Sequence, residues 1–259
     1  MLFNLTKLPP AARQEIEASP HWRKLFSKKP LKLLAVGTDA KTIKGEKQNI
    51  LTAILYLTPA NGSGQNLCAL AELAQCADPC LYTAGRGAMS GVAMARLRKT
   101  LFFLQYRAEF LAMLHTEITT LKLKAARLGM ILRIRLNGTS DIRWEMLGVP
   151  QAHPVTSFYD YTKIANRRVP ENYDLTFSYS GLPEFQPHVT RAIAAGMRLA
   201  VVFRTRARVE TMLANGESFL GLSLVDGDDS DNRPNDPQGV AVALYAKGKA
   251  RYDHSGFVV

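Results

Sequence analysis

Cys68, Cys76 and Cys80 are the only cysteines of the chain and fall within thirteen consecutive positions. They lie in residues 61–91, NGSGQNLCALAELAQCADPCLYTAGRGAMSG, a stretch bounded by glycines. Thiolates are soft donors suited to zinc and to iron–sulfur clusters. Three is an odd number, which disfavours a disulfide framework and favours a ligand set. Zinc takes four ligands, so a zinc site would need a histidine such as His115, His153 or His188 as the fourth. Three thiolates without a fourth protein donor instead suit a [4Fe–4S] cluster with one open iron. The plain alternative is three unligated thiols in the core.

Two elements would position this stretch. Ile50–Leu57 is an apolar, strand-like run before it. After it, Ser90–Gly129 repeats apolar residues at three and four (Met94, Leu97, Leu101, Phe110, Leu114, Ile118), which predicts one long helix stopped by Gly129. Its seven Lys/Arg against two Glu between residues 90 and 127 read as a solvated face. Leu31–Gly37 is another short strand-like run, and the polar link 38–49 reads as a loop or hairpin. Further strand-like runs are Met130–Leu136, Val155–Tyr159, Asp174–Tyr179, Leu199–Phe203, Phe219–Val225 and Val240–Tyr245. Helical signals fill Glu184–Gly196 and Arg206–Gly216. Strands alternating with helices predict an α/β fold with mostly parallel strands, a partial or closed (β/α) barrel. Residues 1–30 are expected as a polar N-terminal extension with a helix at 11–18, and residues 31–259 as one barrel-like domain.

In such barrels chemistry gathers where the strands end, in the βα loops. The strand ending at Leu136 delivers Asn137, Gly138, Thr139 and Asp141. Asp160 and Lys163 follow the strand at Val155, and Arg204 and Arg206 follow Leu199–Phe203. The strand at Phe219 opens into an acidic loop from Asp226 to Asp236. Asp141, Asp160, Lys163 and Asp226 are the candidate catalytic groups. Each also has a plain reading: Asp141 as a helix cap, Asp160 with Lys163 as a solvated pair, and the acidic loop as solvated. That loop is not a calcium loop, because Asp231 stands sixth from Asp226 where glycine is needed, and Pro237 stands twelfth.

At 259 residues and 47% hydrophobic, the chain can bury one large core. Its 33 Lys+Arg against 22 Asp+Glu give +11, which suits a polyanionic substrate or partner, either nucleic acid or a phosphorylated small molecule. An ordinary basic protein is the alternative. No apolar run approaches the roughly 18 residues of a membrane span, and the N-terminus lacks the apolar stretch of a signal peptide. A cytoplasmic protein is expected.

From about Lys41 onward, the segments KTIKGEKQNILTAILYLTPAN, the three cysteines with LYTAGRG, RLNGTSDIRWE, FYDYTK, NRR, LTFSYS, DGDDSD and KGKARYDHSGF resemble, in that order, the phage gene product 88 family. That resemblance supplies no activity; for a phage protein it implies the host cytoplasm. A three-cysteine loop after the first strand of an α/β barrel is also similar to the radical SAM superfamily. This likeness implies that Cys68, Cys76 and Cys80 hold a [4Fe–4S] cluster whose open iron binds S-adenosylmethionine. It implies that Asn137, Gly138 and Thr139 contact the cofactor's amino group, with Arg204 beside cofactor and substrate. A 5′-deoxyadenosyl radical would then abstract hydrogen from a substrate oriented by Asp160, Lys163, Arg204 and Asp226. The spacing here is C-x7-C-x3-C against the superfamily's common C-x3-C-x2-C, and Pro79 replaces the aromatic residue usual before the third cysteine.

Two other functions fit the same residues. One is a transglycosylase-like enzyme with structural zinc acting on nucleic acid, with Asp141, Asp160 or Asp226 as nucleophile. The other is a non-catalytic zinc or cluster protein that binds host or phage partners.

Overall fold

The apolar run after Asn49 becomes strand β2 (Ile50–Leu55), buried at all six positions, as a parallel strand covered on both faces must be. A computed structural model describes residues 1–37, 43 and 48–259. β2 runs parallel to β3 (Ile131–Arg135), β4 (Ser157–Thr162), β5 (Tyr173–Ser178), β6 (Leu199–Phe203), β9 (Ala241–Tyr245) and β8 (Leu222–Asp226), in that spatial order. β1 (Leu34–Val36) flanks β2 antiparallel at one edge, and β7 (Ser218–Phe219) flanks β8 antiparallel at the other. Among the described residues no pairing joins β1 to β7, so the expected mostly parallel α/β sheet is present with two edges. The link 38–49 lies largely outside the described residues.

Alternation along the strands separates two faces. Ile134, Phe158, Phe177 and Val201 point one way and are fully buried. They pack under helices α3 (Ser90–Gln105), α4 (Arg107–Arg127), α5 (Gln186–Ala194) and α6 (Arg206–Ala214) in two apolar clusters. Arg135, Tyr161, Ser178, Val202 and Leu244 point the other way and line one cavity, so the sheet curls around it.

The long helix expected over Ser90–Gly129 is two helices, broken at Tyr106 (φ −133°, ψ 54°). The N-terminal segment occupies the break. Gln105 accepts from the Asn4 amide and donates to the Asn4 carbonyl, both at 2.8 Å. The Tyr106 hydroxyl donates to Leu2 O at 3.0 Å. Phe3, Leu5, Leu8, Ile16 and Phe26 are buried in the main core beside α1 (Pro10–Ala18) and α2 (Pro20–Leu25). Each such burial stabilises by about 1.5–3 kcal/mol, so the extension is fastened to the domain. Gly129 does end α4, at φ +64°.

A second difference concerns Phe219–Val225, expected as one strand. Leu220 (φ 52°) and Gly221 (φ 77°) both adopt left-handed backbone, which makes the two-residue hairpin between β7 and β8. No helix of the described residues is long and apolar enough to cross a membrane.

Candidate functional site

The cysteine loop leaves the C-terminal end of β2 and is stitched to the segment that follows β3. The Ala60 amide donates to Cys68 Sγ at 3.4 Å, Cys68 Sγ donates to Thr139 O at 3.9 Å, and the Asp141 amide donates to Leu67 O at 2.9 Å. Gly138 makes this crossing feasible. A Cβ there would sit 2.6 Å from the Tyr56 ring and 2.8 Å from Leu55 O, distances no side chain tolerates. Asn137 fixes the turn by accepting through Oδ1 from Ser140 Oγ, the Ile142 amide and Trp144 Nε1 at 2.9–3.0 Å.

The three thiols are free and half-buried, and Cys76 and Cys80 line one cavity. Burial pushes Cys68 up to about 12, with smaller upward pushes from Cys80, Asp141 and Cys76. Burial also raises Cys76 and Cys80. Lys163 opposes the rise at both, and Arg96 opposes it at Cys80. Two cations therefore face the thiols. Lys163 is buried, donates to Ser178 Oγ at 3.0 Å and lies over the rings of Phe257 and Phe185. Arg96 stacks on Tyr56 at 5.1 Å, and its buried Nε and Nη1 have no hydrogen-bond partner among the described residues.

Among the described residues no three His, Cys, Asp or Glu side chains are placed to hold one metal ion. His153, a candidate fourth ligand, precedes β4, at the opposite end of the sheet from the cysteine loop. Its Nε2 meets His115 Nδ1 at 2.8 Å, so the two imidazoles serve each other. His188 stacks on Phe185 with ring centroids 5.1 Å apart.

Below the thiols lies a cavity of about 340 Å³ with Cys76 and Cys80 at its rim. Ala200, Val202, Leu244 and Phe257 give it apolar walls, while Arg135, Tyr161, Ser178, Asp228, Asp231 and Lys247 give it polar ones. The β8–β9 connection closes its floor. It crosses the cavity face of the sheet to β3 and β4, where Asp231 takes Arg135 Nη1 and the Tyr159 hydroxyl, both at 3.2 Å, and Asn235 takes Arg133 Nη2 at 3.0 Å. Asn232 and Arg233 are buried. The acidic loop expected to be solvated is therefore a strap, because basic residues on the strand face capture it.

The other sequence candidates divide by position. Asp141 bonds the Lys163 amide at 2.9 Å and pairs with Arg167, and burial raises its carboxyl. Thr139 sits against Cys68, and its hydroxyl bonds Leu57 O. Asp226 is exposed and bonds the amides of Asp228 and Asp229 within its own turn. Arg204 holds the C-terminal segment through Asp253 O and Val258 O. Only Lys163, Asp141 and Thr139 stand beside the thiols.

Asp160 faces away from the cavity, since its neighbour Tyr161 lines it. It is 1% exposed and accepts from the Asn137 amide (2.7 Å), the Tyr173 hydroxyl (2.8 Å) and the Leu136 amide (3.2 Å). It positions the turn after β3. Burial pushes its carboxyl up to about 7, against the opposing pull of Arg135. A folded value above the unfolded ~3.9 means that the native state holds the proton more tightly. This contribution is full below about pH 4 and is lost as pH rises to about 7, at up to ~1.4 kcal/mol per unit. Denaturation midpoints of the wild type are expected to fall more steeply over that window than those of Asp160→Asn. Equal slopes would remove Asp160 from this account.

Arg135 is not singled out by the sequence reading, Tyr161 enters it only as a strand-end residue beside Asp160, and Asp231 only as part of the acidic loop. The signal was there for two of them: Arg133 and Arg135 two apart in one strand, Tyr159 and Tyr161 two apart in the next, each pair on one face.

No curated protein and no solved structure matches this chain. The family model for gene product 88 matches residues 31–259, beginning where the barrel-like domain was expected to begin and spanning the cysteine loop, the strap and every strand; the chain belongs to the gene product 88 family.

Proposed function

We propose that residues 31–259 form a radical SAM-like enzyme in which Cys68, Cys76 and Cys80 hold a [4Fe–4S] cluster and the substrate occupies the chamber beneath them. The observation that carries this reading is that three half-buried thiols of one loop lie beside two cations, Lys163 and Arg96, at the C-terminal ends of parallel strands. A cluster held by three thiolates is an anion, and a buried anion needs nearby positive charge. Three unligated thiols need none. The donor set also suits a cluster better than a single zinc. With no fourth protein donor, one iron would remain open.

When bound, such a cluster supplies the electron for reductive cleavage of S-adenosylmethionine. The residues of the chain have separate tasks. Lys163 steadies the Cys76 thiolate and is itself held by Ser178. Asp160 and Trp144 fix the Asn137–Gly138–Thr139 turn, which presents backbone groups at the mouth. Val202, Leu244 and Phe257 keep the chamber wall dry. Protein purified without oxygen, reduced and mixed with S-adenosylmethionine is expected to release 5′-deoxyadenosine. A protein loaded with iron that releases none would leave cluster binding standing and remove the enzyme.

A further inference from the structure

We propose that the chamber binds a small, largely apolar molecule by a carboxylate seated on the free edge of Arg135. Arg135 is 6% exposed and lines the cavity. Its Nη1 is taken by Asp231 at 3.2 Å, while its buried Nε has no partner and its Nη2 makes no hydrogen bond among the described residues. The guanidinium lies over the Tyr161 ring at 4.6 Å, and the Tyr161 hydroxyl, also without a hydrogen bond among the described residues, borders the same space. A buried guanidinium N–H is costly to leave unmade. The Nε–Nη2 edge is a planar two-donor fork, the shape that a carboxylate matches with two parallel bonds.

Within the lining, Lys247 pairs with Asp228 and Arg135 with Asp231, and neither pair takes up the Nε–Nη2 edge of Arg135. The walls at Ala200, Val202, Leu244 and Phe257 suit an apolar body. At about 340 Å³ the space takes a small molecule and not a polymer. Only the description of this occupant as a substrate rests on the enzyme reading above; the binding stands apart from it.

The test uses three probes of one shape: 3-phenylpropionate, its primary amide and the corresponding alcohol, titrated into the full chain by calorimetry. The carboxylate is expected to bind at least about tenfold more tightly than either neutral probe, because those leave the fork unpaired. Arg135→Gln combined with Asp231→Asn removes both charges together, so no lone buried carboxylate is left to unfold the protein. In that variant the preference is expected to fall to about twofold or less, and Tyr161→Phe to weaken the carboxylate about threefold with little effect on the alcohol. Equal affinities, a preference that survives the double substitution, or no binding of any probe at about 10 mM overturns the proposal. Iron is measured on the same preparations. Colourless protein that keeps the preference would sink the cluster and leave the carboxylate site, and brown protein without it would do the reverse.

Discussion

Cys76→Ala, purified without oxygen, is expected to be colourless, beside a brown wild type carrying about four irons per chain. Cys76 lines the chamber with Lys163 beside it, so its removal takes away one ligand and leaves a buried cation without its anion. The same loss is expected for Cys68→Ala and Cys80→Ala, since each would remove one of the three proposed ligands. His153→Ala is expected to keep full iron content, because that ring lies at the other end of the sheet against His115. Iron and sulfide analysis with visible spectra reads all four. One zinc per chain in the wild type would move the protein to the zinc readings. Metal-free wild type would mean that the thiols are core.

Arg167→Ala is expected to destabilise folding by about 3–5 kcal/mol, a large share of the 5–15 typical of a domain. The Arg167 side chain is 1% exposed and joins Glu145 at 3.0 Å, Asp141 at 3.4 Å and the Tyr173 hydroxyl at 3.3 Å. Removing it strands two buried carboxylates. The effect should reach the site, because Asp141 holds both the Lys163 amide and, through its own amide, the cysteine loop at Leu67. Arg206→Ala is the contrast. Its pair with Glu210 is 71% and 59% exposed and screened by solvent, so almost no loss is expected. Urea denaturation of both variants decides the matter, and a loss below about 1 kcal/mol for Arg167→Ala would show that the two carboxylates find other partners. Neutralising them together, by Asp141→Asn with Glu145→Gln, should restore much of the stability lost in Arg167→Ala.

Local pattern determined a good deal of this protein. Runs such as LTAIL and LAVVF are short, bounded by polar segments and apolar at most positions, the mark of strands covered on both faces, and their alternation with helical segments favours parallel pairing. The ordering of the strands then puts the cysteine loop, Asn137–Gly138 and Lys163 at one end of the sheet, since the ends of parallel strands are set by chain direction alone. Tertiary structure decided what is not periodic. Arg135 meets Asp231 across 96 positions, and that pairing turns an acidic loop into the floor of a chamber. The helix expected over residues 90–129 breaks at Tyr106 because the N-terminal segment supplies hydrogen bonds and aromatic contacts there, which no helical pattern encodes. Asp160 looked like a site residue from its place at a strand end, yet its side chain points to the other face. Sequence gives the end of the sheet at which a residue sits. Burial, charge and contacts from distant segments decide whether it meets the chamber.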